Sequence, residues 1–414
     1  MNSNNLTSCQ RIMKTLNFEK PDKLPKDLGG MASTGISAFA YPKLVAALGL
    51  PPRLPKIHDT IQMLALPDMD VLDALGCDVV TAFHGVTNAF DKPDKWQEYN
   101  FGGRLSAFVR RRSDFQNYDD GTTVQSVKWG NRIVPHRMVK SSYVFDEEHG
   151  GQPLSLTGDL HMDDLKQIRK ELQDEQLRDD DIEQIKQYCK QIRESTDKAV
   201  FFNGPINTGI GIGGRGGIAV FPVLCLTEPN YVADLHEIIT TYVINTISLL
   251  LKEIHPYIDI IMMGADDWGT QSSLIASPDI FKRLFLPYLV RINGQCHKIA
   301  PNVKTFLHSC GAIYPIIDLI IESGFDILNP VQWSAGNHSY KQWKDKCRNR
   351  IALWGGGVNS QTTLPLGSID NVKKEVADVT KYLSIDNGYV FSNIHNILAE
   401  IEPEKIITMY SAAK

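Results

Sequence analysis

Residues 303–333 read VKTFLHSCGAIYPIIDLIIESGFDILNPVQW, and this stretch decides the fold. Val303–Leu307 alternates and is β-rich, which predicts a buried strand running straight into His308-Ser309-Cys310-Gly311. Ile313 to Ile321 then places apolar residues at helical period and stops at Ser323-Gly324. A second strand is predicted over Phe325–Leu328, ending in Asn329-Pro330-Val331-Gln332. The stretch is one strand–helix–strand unit with polar residues at both strand C-termini. Parallel α/β folds build their sites at that end.

Working outward, the same unit recurs. Strands are predicted at Val200–Phe202, Tyr257–Met263, Ile351–Trp354 and Tyr389–Ser392. Between them lie a long amphipathic helix capped by Thr227 and running to about Ile254, a helix opened by Ser277-Pro278, and one over Asn371–Leu383. The opening 85 residues add helical patterns at Cys9–Leu16, 41–50 and Met69–Leu75. They also hold a possible strand after Pro21–Pro25 and another from Cys77 towards His84. Steady β-then-α alternation without reversal favours a closed (β/α)8 TIM barrel over a doubly wound sheet. Residues 96–146 break the pattern: strand-length pieces at Leu105–Arg110, Thr122–Trp129 and Ile133–Met138 alternate with Asp-Gly and Trp-Gly turns. We read them as an antiparallel β-meander inserted into a single barrel domain spanning 1–414. Residues 161–196 predict two exposed helices broken near Asp179-Asp180-Asp181.

The totals exclude several classes. A chain of 414 residues, 43% hydrophobic and with net charge −5, buries a large core but offers no basic face for nucleic acid. Its one basic cluster, Arg110-Arg111-Arg112, reads as solvated. Ile238–Leu251 is too short and polar to span a bilayer, and Met1–Lys14 has no secretory h-region. Seven cysteines, odd in number and widely spaced, suit free thiols in a reducing cytoplasm.

Chemistry concentrates at the strand ends. His308 and Cys310, one residue apart where the strand turns into a loop, can both reach one metal, and Zn²⁺ accepts imidazole and thiolate. The alternative is a structural cysteine beside a hydrogen-bonded histidine. A third ligand must come from far along the chain; His395, after the last strand, either completes the shell or hydrogen-bonds substrate. Asp266 and Asp267 are candidate acid/base groups, of which only one is expected to face the pocket. Asn203, Asn329 and Gln332 occupy corresponding strand ends and suit substrate hydrogen bonds; His84 ends an earlier strand. Trp354 and Trp268 either wall the pocket or belong to the core. Gly211–Gly216 spells G-x-G-x-x-G, but no helix is predicted to start directly on it, so a mobile lid is preferred to a dinucleotide site.

With these residues in place, the chain resembles the uroporphyrinogen decarboxylase superfamily. The resemblance is strongest over 257–410, through Asp266-Asp267-Trp268-Gly269, His308-Ser309-Cys310-Gly311, Asn329-Pro330-Val331-Gln332, Trp354-Gly355-Gly356 and His395 followed by Pro403-Glu404. It is diffuse over 8–85, where Pro21-Asp22-Lys23 resembles the family's opening. The resemblance implies a (β/α)8 barrel. Decarboxylases carry an R-Q-A-G-R motif after the first strand, whereas this chain has Leu28-Gly29-Gly30-Met31-Ala32-Ser33, without arginine. The zinc- and corrinoid-dependent methyltransferase branch, similar to methylcobalamin:coenzyme M methyltransferases, carries an H-x-C pair and a distant cysteine as zinc ligands. His308 and Cys310 match the pair, and His395 stands where the cysteine is expected.

The resemblance therefore implies Zn²⁺, a corrinoid (cobalamin) cofactor and a small methylated substrate. The corrinoid signature D-x-H-x-x-G has only a near match, Asp234-Leu235-His236 with Ile239 in the glycine position. The corrinoid is accordingly expected on a separate partner protein. A homodimer is compatible with this reading. Two rival readings stand beside it: a metal-free decarboxylase-like lyase, and a non-catalytic barrel that binds a tetrapyrrole or a corrinoid protein.

Overall fold

Alternating apolar residues build seven short parallel strands: Val79–Ala82, Ala199–Phe202, Ile260–Ala265, Lys304–His308, Ile327–Asn329, Ala352–Trp354 and Tyr389–Val390. The structure, a computed structural model, describes residues 6–82, 95–129, 132–146, 162–214 and 217–414. Each strand pairs with the next in sequence. Residues 25–27 close the ring. Phe391 donates its amide to Pro25 O and Asp27 donates to Phe391 O, while Asp78 donates to Lys26 O on the other side. The fold is a (β/α)8 barrel.

Period-two alternation splits the strand residues between two cores. Val79, Phe201, Ile260, Phe306, Ile327, Ala352, Trp354 and Val390 fill the barrel, with Phe201 and Phe306 edge-to-face at 4.8 Å. Ile12 and Leu16 of the helix Ser8–Leu16 plug its lower end. Arg11 of that helix is buried against Asp78 and Asp22, so the plug is held by charge as well as by apolar contact. Outward residues such as Phe202, Met263, Leu307, Leu328 and Leu353 pack under the surrounding helices.

The antiparallel strands expected within 96–146 form two sheets. Gln97–Asn100 pairs with Ser106–Val109, and Phe115–Asn117, Thr123–Trp129 and Arg132–Met138 make a three-stranded sheet. Arg110 stacks at 4.0 Å over Trp96, so this residue of the basic cluster is not simply solvated. The helices Leu165–Asp174 and Asp179–Ser195 place all three aspartates of 179–181 in the first turn of the second helix. There their charge complements the helix dipole.

Three expectations are corrected. Thr227 does not cap the long helix: it ends a separate helix, Gly217–Thr227, and its hydroxyl donates to Val223 O. The long helix runs Pro229–Ile254 behind Glu228, with proline at its first position. A helix therefore does begin where the glycine-rich loop ends. The strand predicted from Tyr257 starts at Ile260, because His255–Tyr257 forms a 3-10 turn around Pro256. Among the described residues no single helix is long and apolar enough to cross a membrane.

Candidate active site

Alternation along Lys304–His308 puts Phe306 in the barrel core and His308 one layer above it, at the C-terminal mouth. The register pairs His308 with Asn329 on the next strand, and His308 Nδ1 lies 2.6 Å from Asn329 Oδ1. Past the strand end, Gly311 takes φ +91°, and the turn brings Cys310 Sγ to 3.4 Å from His308 Nε2. His395 arrives from beyond Tyr389–Val390, three strands along the sheet. Its segment is pinned by Asn396 Oδ1, which accepts from Gly35 N, and by Ile397, whose carbonyl accepts from Ser37 N. Its ring sits 5.8 Å from that of His308. One potential ligand atom each from His308, Cys310 and His395 lie within 4.8 Å of one another, the one such group found among the described residues.

Burial sets the protonation of these groups. His308 is pushed below the ordinary imidazole range by burial, and His395 falls to about 4 for the same reason, with the neighbouring His308 adding to the effect. Burial holds the Cys310 thiol well above its usual value, with the Asp267 charge adding to it. Burial thus favours the uncharged form of all three groups.

Residues 146–414 match the family model described as uroporphyrinogen decarboxylase (URO-D). The chain belongs to that family. No curated protein matches it. Among solved structures, a methyltransferase from Methanosarcina mazei is similar over 99% of this chain and 98% of its own, with 17% identity and a TM-score of 0.56. A GH10 endoxylanase from a sugarcane soil metagenome aligns over 54% of this chain and 91% of its own, at 9% identity and a TM-score of 0.30. A family 39 glycoside hydrolase from Bacteroides cellulosilyticus aligns over 70% of each chain, at 10% identity and 0.32.

In this URO-D barrel the adjacent carboxylates part company. Asp266 turns back onto the glycine-rich loop, where its oxygens accept from Ile212 N and Gly213 N. Burial raises it to about 6 despite those bonds. It borders a cavity of about 180 Å³ that Gly211, Trp268, Phe281 and Leu307 line and that none of the three ligand residues touches. Asp267 faces the cluster: its Oδ1 accepts from Cys310 N at 2.8 Å and lies 3.8 Å from His308 Nε2.

The remaining candidates divide. Asn203 Nδ2 donates to Gly30 O and Thr81 Oγ1 at the mouth. Gln332 Oε1 accepts from Gly311 N at 2.6 Å and so shapes the turn carrying Cys310. Trp354 is fully buried, its indole N–H donating to Asp27 Oδ2, and Trp268 packs edge-to-face on Phe281 and Phe285. Both belong to cores, and Trp268 also walls the cavity beside Asp266. His84 and Arg215-Gly216 of the glycine loop lie outside the described residues. The loop residues up to Gly214 are tethered by Asp266 rather than left open. Two contributors were given no role by the sequence. Ser309, fully buried, accepts Trp268 N on its hydroxyl and locks the two loops together. Asp27, also fully buried, is raised to about 6 by burial. Its place at the end of the closing strand was the available signal.

Proposed function

We propose that this URO-D family member is a zinc-dependent methyltransferase. It moves a methyl group between a small methylated substrate (methoxy, thiol or amine) and the cobalt of a corrinoid carried by a separate protein. The observation that carries the reading is the gathering of His308, Cys310 and His395, remote in sequence, into one 4.8 Å cluster at the barrel's C-terminal mouth. One thiol and two imidazoles fit Zn²⁺ as three protein ligands with a fourth position open, as catalytic zinc sites are built. Bound there, the metal supplies Lewis acidity to the heteroatom that bears or loses the methyl group; one thiolate and two neutral imidazoles leave the site net positive, which favours oxygen.

The chain's own groups fit this task. Burial favours the neutral form of both imidazoles, the form in which a ring nitrogen offers a lone pair. Cys310 gives up its proton only when a cation is bound, and the Asp267 carboxylate, 54% exposed and hydrogen-bonded to the Cys310 amide, is placed to pass it to solvent. The segment Leu28–Ser33 bears no cation, and Leu28 and Met31 are buried, so nothing there pairs with the acidic side chains of a porphyrinogen. The neighbour from Methanosarcina mazei that spans the whole chain is itself named a methyltransferase, in agreement with the reading.

The test is metal content with activity. Untagged wild-type protein is expected to carry about one zinc per chain, lost in His308→Ala and Cys310→Ala, and in His395→Ala if that residue is the third ligand. The loaded enzyme should methylate cob(I)alamin from a methoxy donor. Protein that takes up no metal after zinc-supplemented growth, but releases CO₂ from a porphyrinogen, would establish the metal-free lyase instead.

A further inference from the structure

We infer that Asn329 is a positioning residue that decides which nitrogen of His308 carries the proton, leaving Nε2 bare and directed at the Cys310 side of the cluster. The inference rests on reading His308 as a metal ligand.

The amide of Asn329 cannot be turned over. Its Nδ2 donates to Trp354 O at 3.0 Å, and a carbonyl oxygen only accepts. In the flipped amide Oδ1 would oppose that carbonyl, acceptor against acceptor, with neither group exposed to water. Oδ1 is therefore the atom 2.6 Å from His308 Nδ1. An amide oxygen only accepts, so Nδ1 must donate. A neutral imidazole has one N–H, and Nε2 is left as a lone pair 3.4 Å from Cys310 Sγ.

Asn329 is itself held. The Trp354 carbonyl is steadied because its indole donates to Asp27 Oδ2 at 2.9 Å and its ring packs against Phe201 and Phe306. Asp27 Oδ1 accepts from Gly30 N at 2.8 Å. Gly355, at φ +82°, closes over the amide so tightly that a Cβ there would stand 3.1 Å from Nδ2 and 2.7 Å from Asn393 O. A chain of contacts thus runs from Asp27 through Trp354 and Asn329 to His308. Metal-binding histidines are oriented in this way by an acceptor on the second nitrogen.

The test begins on metal-free protein, so it does not depend on turnover. Long-range ¹H–¹⁵N spectra of histidine-labelled protein, with the His308 signals assigned by their loss in His308→Gln, should show wild-type His308 protonated at Nδ1. Asn329→Leu, which removes the acceptor at similar volume, should populate the Nε2-protonated form. It should also weaken zinc binding ten- to a hundredfold in chelator competition, roughly the loss expected when such a partner is removed. Asn329→Asp, as the buried neutral acid, donates its O–H to Trp354 O in place of the amide and keeps an acceptor facing Nδ1, so the Nδ1–H form should persist. Nε2–H in wild-type His308, or Nδ1–H persisting in Asn329→Leu, overturns the inference. If Asn329→Leu fails to fold, Asn329→Ala, which also removes the acceptor, is read in its place, and Nε2–H in the wild-type spectrum still overturns the inference. A wild-type protein with Nδ1–H that binds no zinc would sink the metal reading and leave the role of Asn329 standing.

Discussion

Two neighbouring parts of the barrel mouth carry similar chemical potential and spend it differently. Beyond the ends of Lys304–His308 and Tyr389–Val390, side chains are turned so that one potential ligand atom each from His308, Cys310 and His395 lie within 4.8 Å of one another. At the end of Ile260–Ala265, the Asp266 carboxylate is taken up by backbone amides of the glycine loop. A polar residue at a strand C-terminus is thus only an offer. Whether it serves chemistry depends on whether a loop from elsewhere claims it first. The two parts are joined by two hydrogen bonds: Ala312 N donates to Thr270 O, and Trp268 N to Ser309 Oγ.

The widest separation between the two parts is expected from Cys310→Ala set against Asp266→Ala. The first should abolish stoichiometric zinc; the second should leave it unchanged, both read by elemental analysis of purified protein. Equal loss in both would erase the distinction. At the seam, Gly311→Ala forces a left-handed φ on alanine and drives its Cβ to 2.1 Å from Gly269 O. A stability loss of about 3 kcal/mol or more is expected in urea unfolding. A loss under about 1 kcal/mol would mean the two loops are free to move apart.

Asp27, beneath the first part, gives a pH signature. Its folded value of about 6 lies above that of an unfolded aspartate, so the folded state binds more protons between those values. The stability owed to this residue should be highest below about pH 4 and fall by ~3 kcal/mol as pH rises through 6. The stability gap between wild type and Asp27→Asn should therefore narrow or change sign between pH 4.5 and 7. A constant gap would show that its hydrogen bonds already offset burial. The smallest effect is expected in the second part. Asp266→Ala should cost about 2 kcal/mol, the worth of a charge-assisted hydrogen bond, and speed proteolysis within 209–214. Unaltered cleavage would mean that the loop holds itself.

The barrel was legible because 303–333 displays strand, helix, strand and polar ends in one unbroken run, and most later units repeat it. His308, Cys310 and His395 were legible because their element positions place them on one rim. That only one of Asp266 and Asp267 faces the pocket was legible, but which one was not, since that depends on a loop 54 residues earlier. Nor was the work of Asn329, which follows from a strand register joining positions 21 residues apart. Thr227 misled because an N-cap residue type stood one position before the true cap, and the apolar run behind it had no helical face to reveal a helix. The extra strands in 96–146 are three and four residues long, and with exposed polar side chains they lack the alternation that would mark them.

The closure at residues 25–27 also has a meaning in time. Tyr410 reaches back through its hydroxyl to Asp27 O, across 383 residues of chain. At a synthesis rate of ~5–20 residues per second, the early edge of the barrel waits roughly 20–80 s for its partners to be made. Throughout that interval the backbone amide of Asp27 and the carbonyl of Pro25 lack the strand they will pair with. A nascent barrel of this design is therefore an open sheet for most of its birth, and the cell must keep that edge from pairing with a stranger.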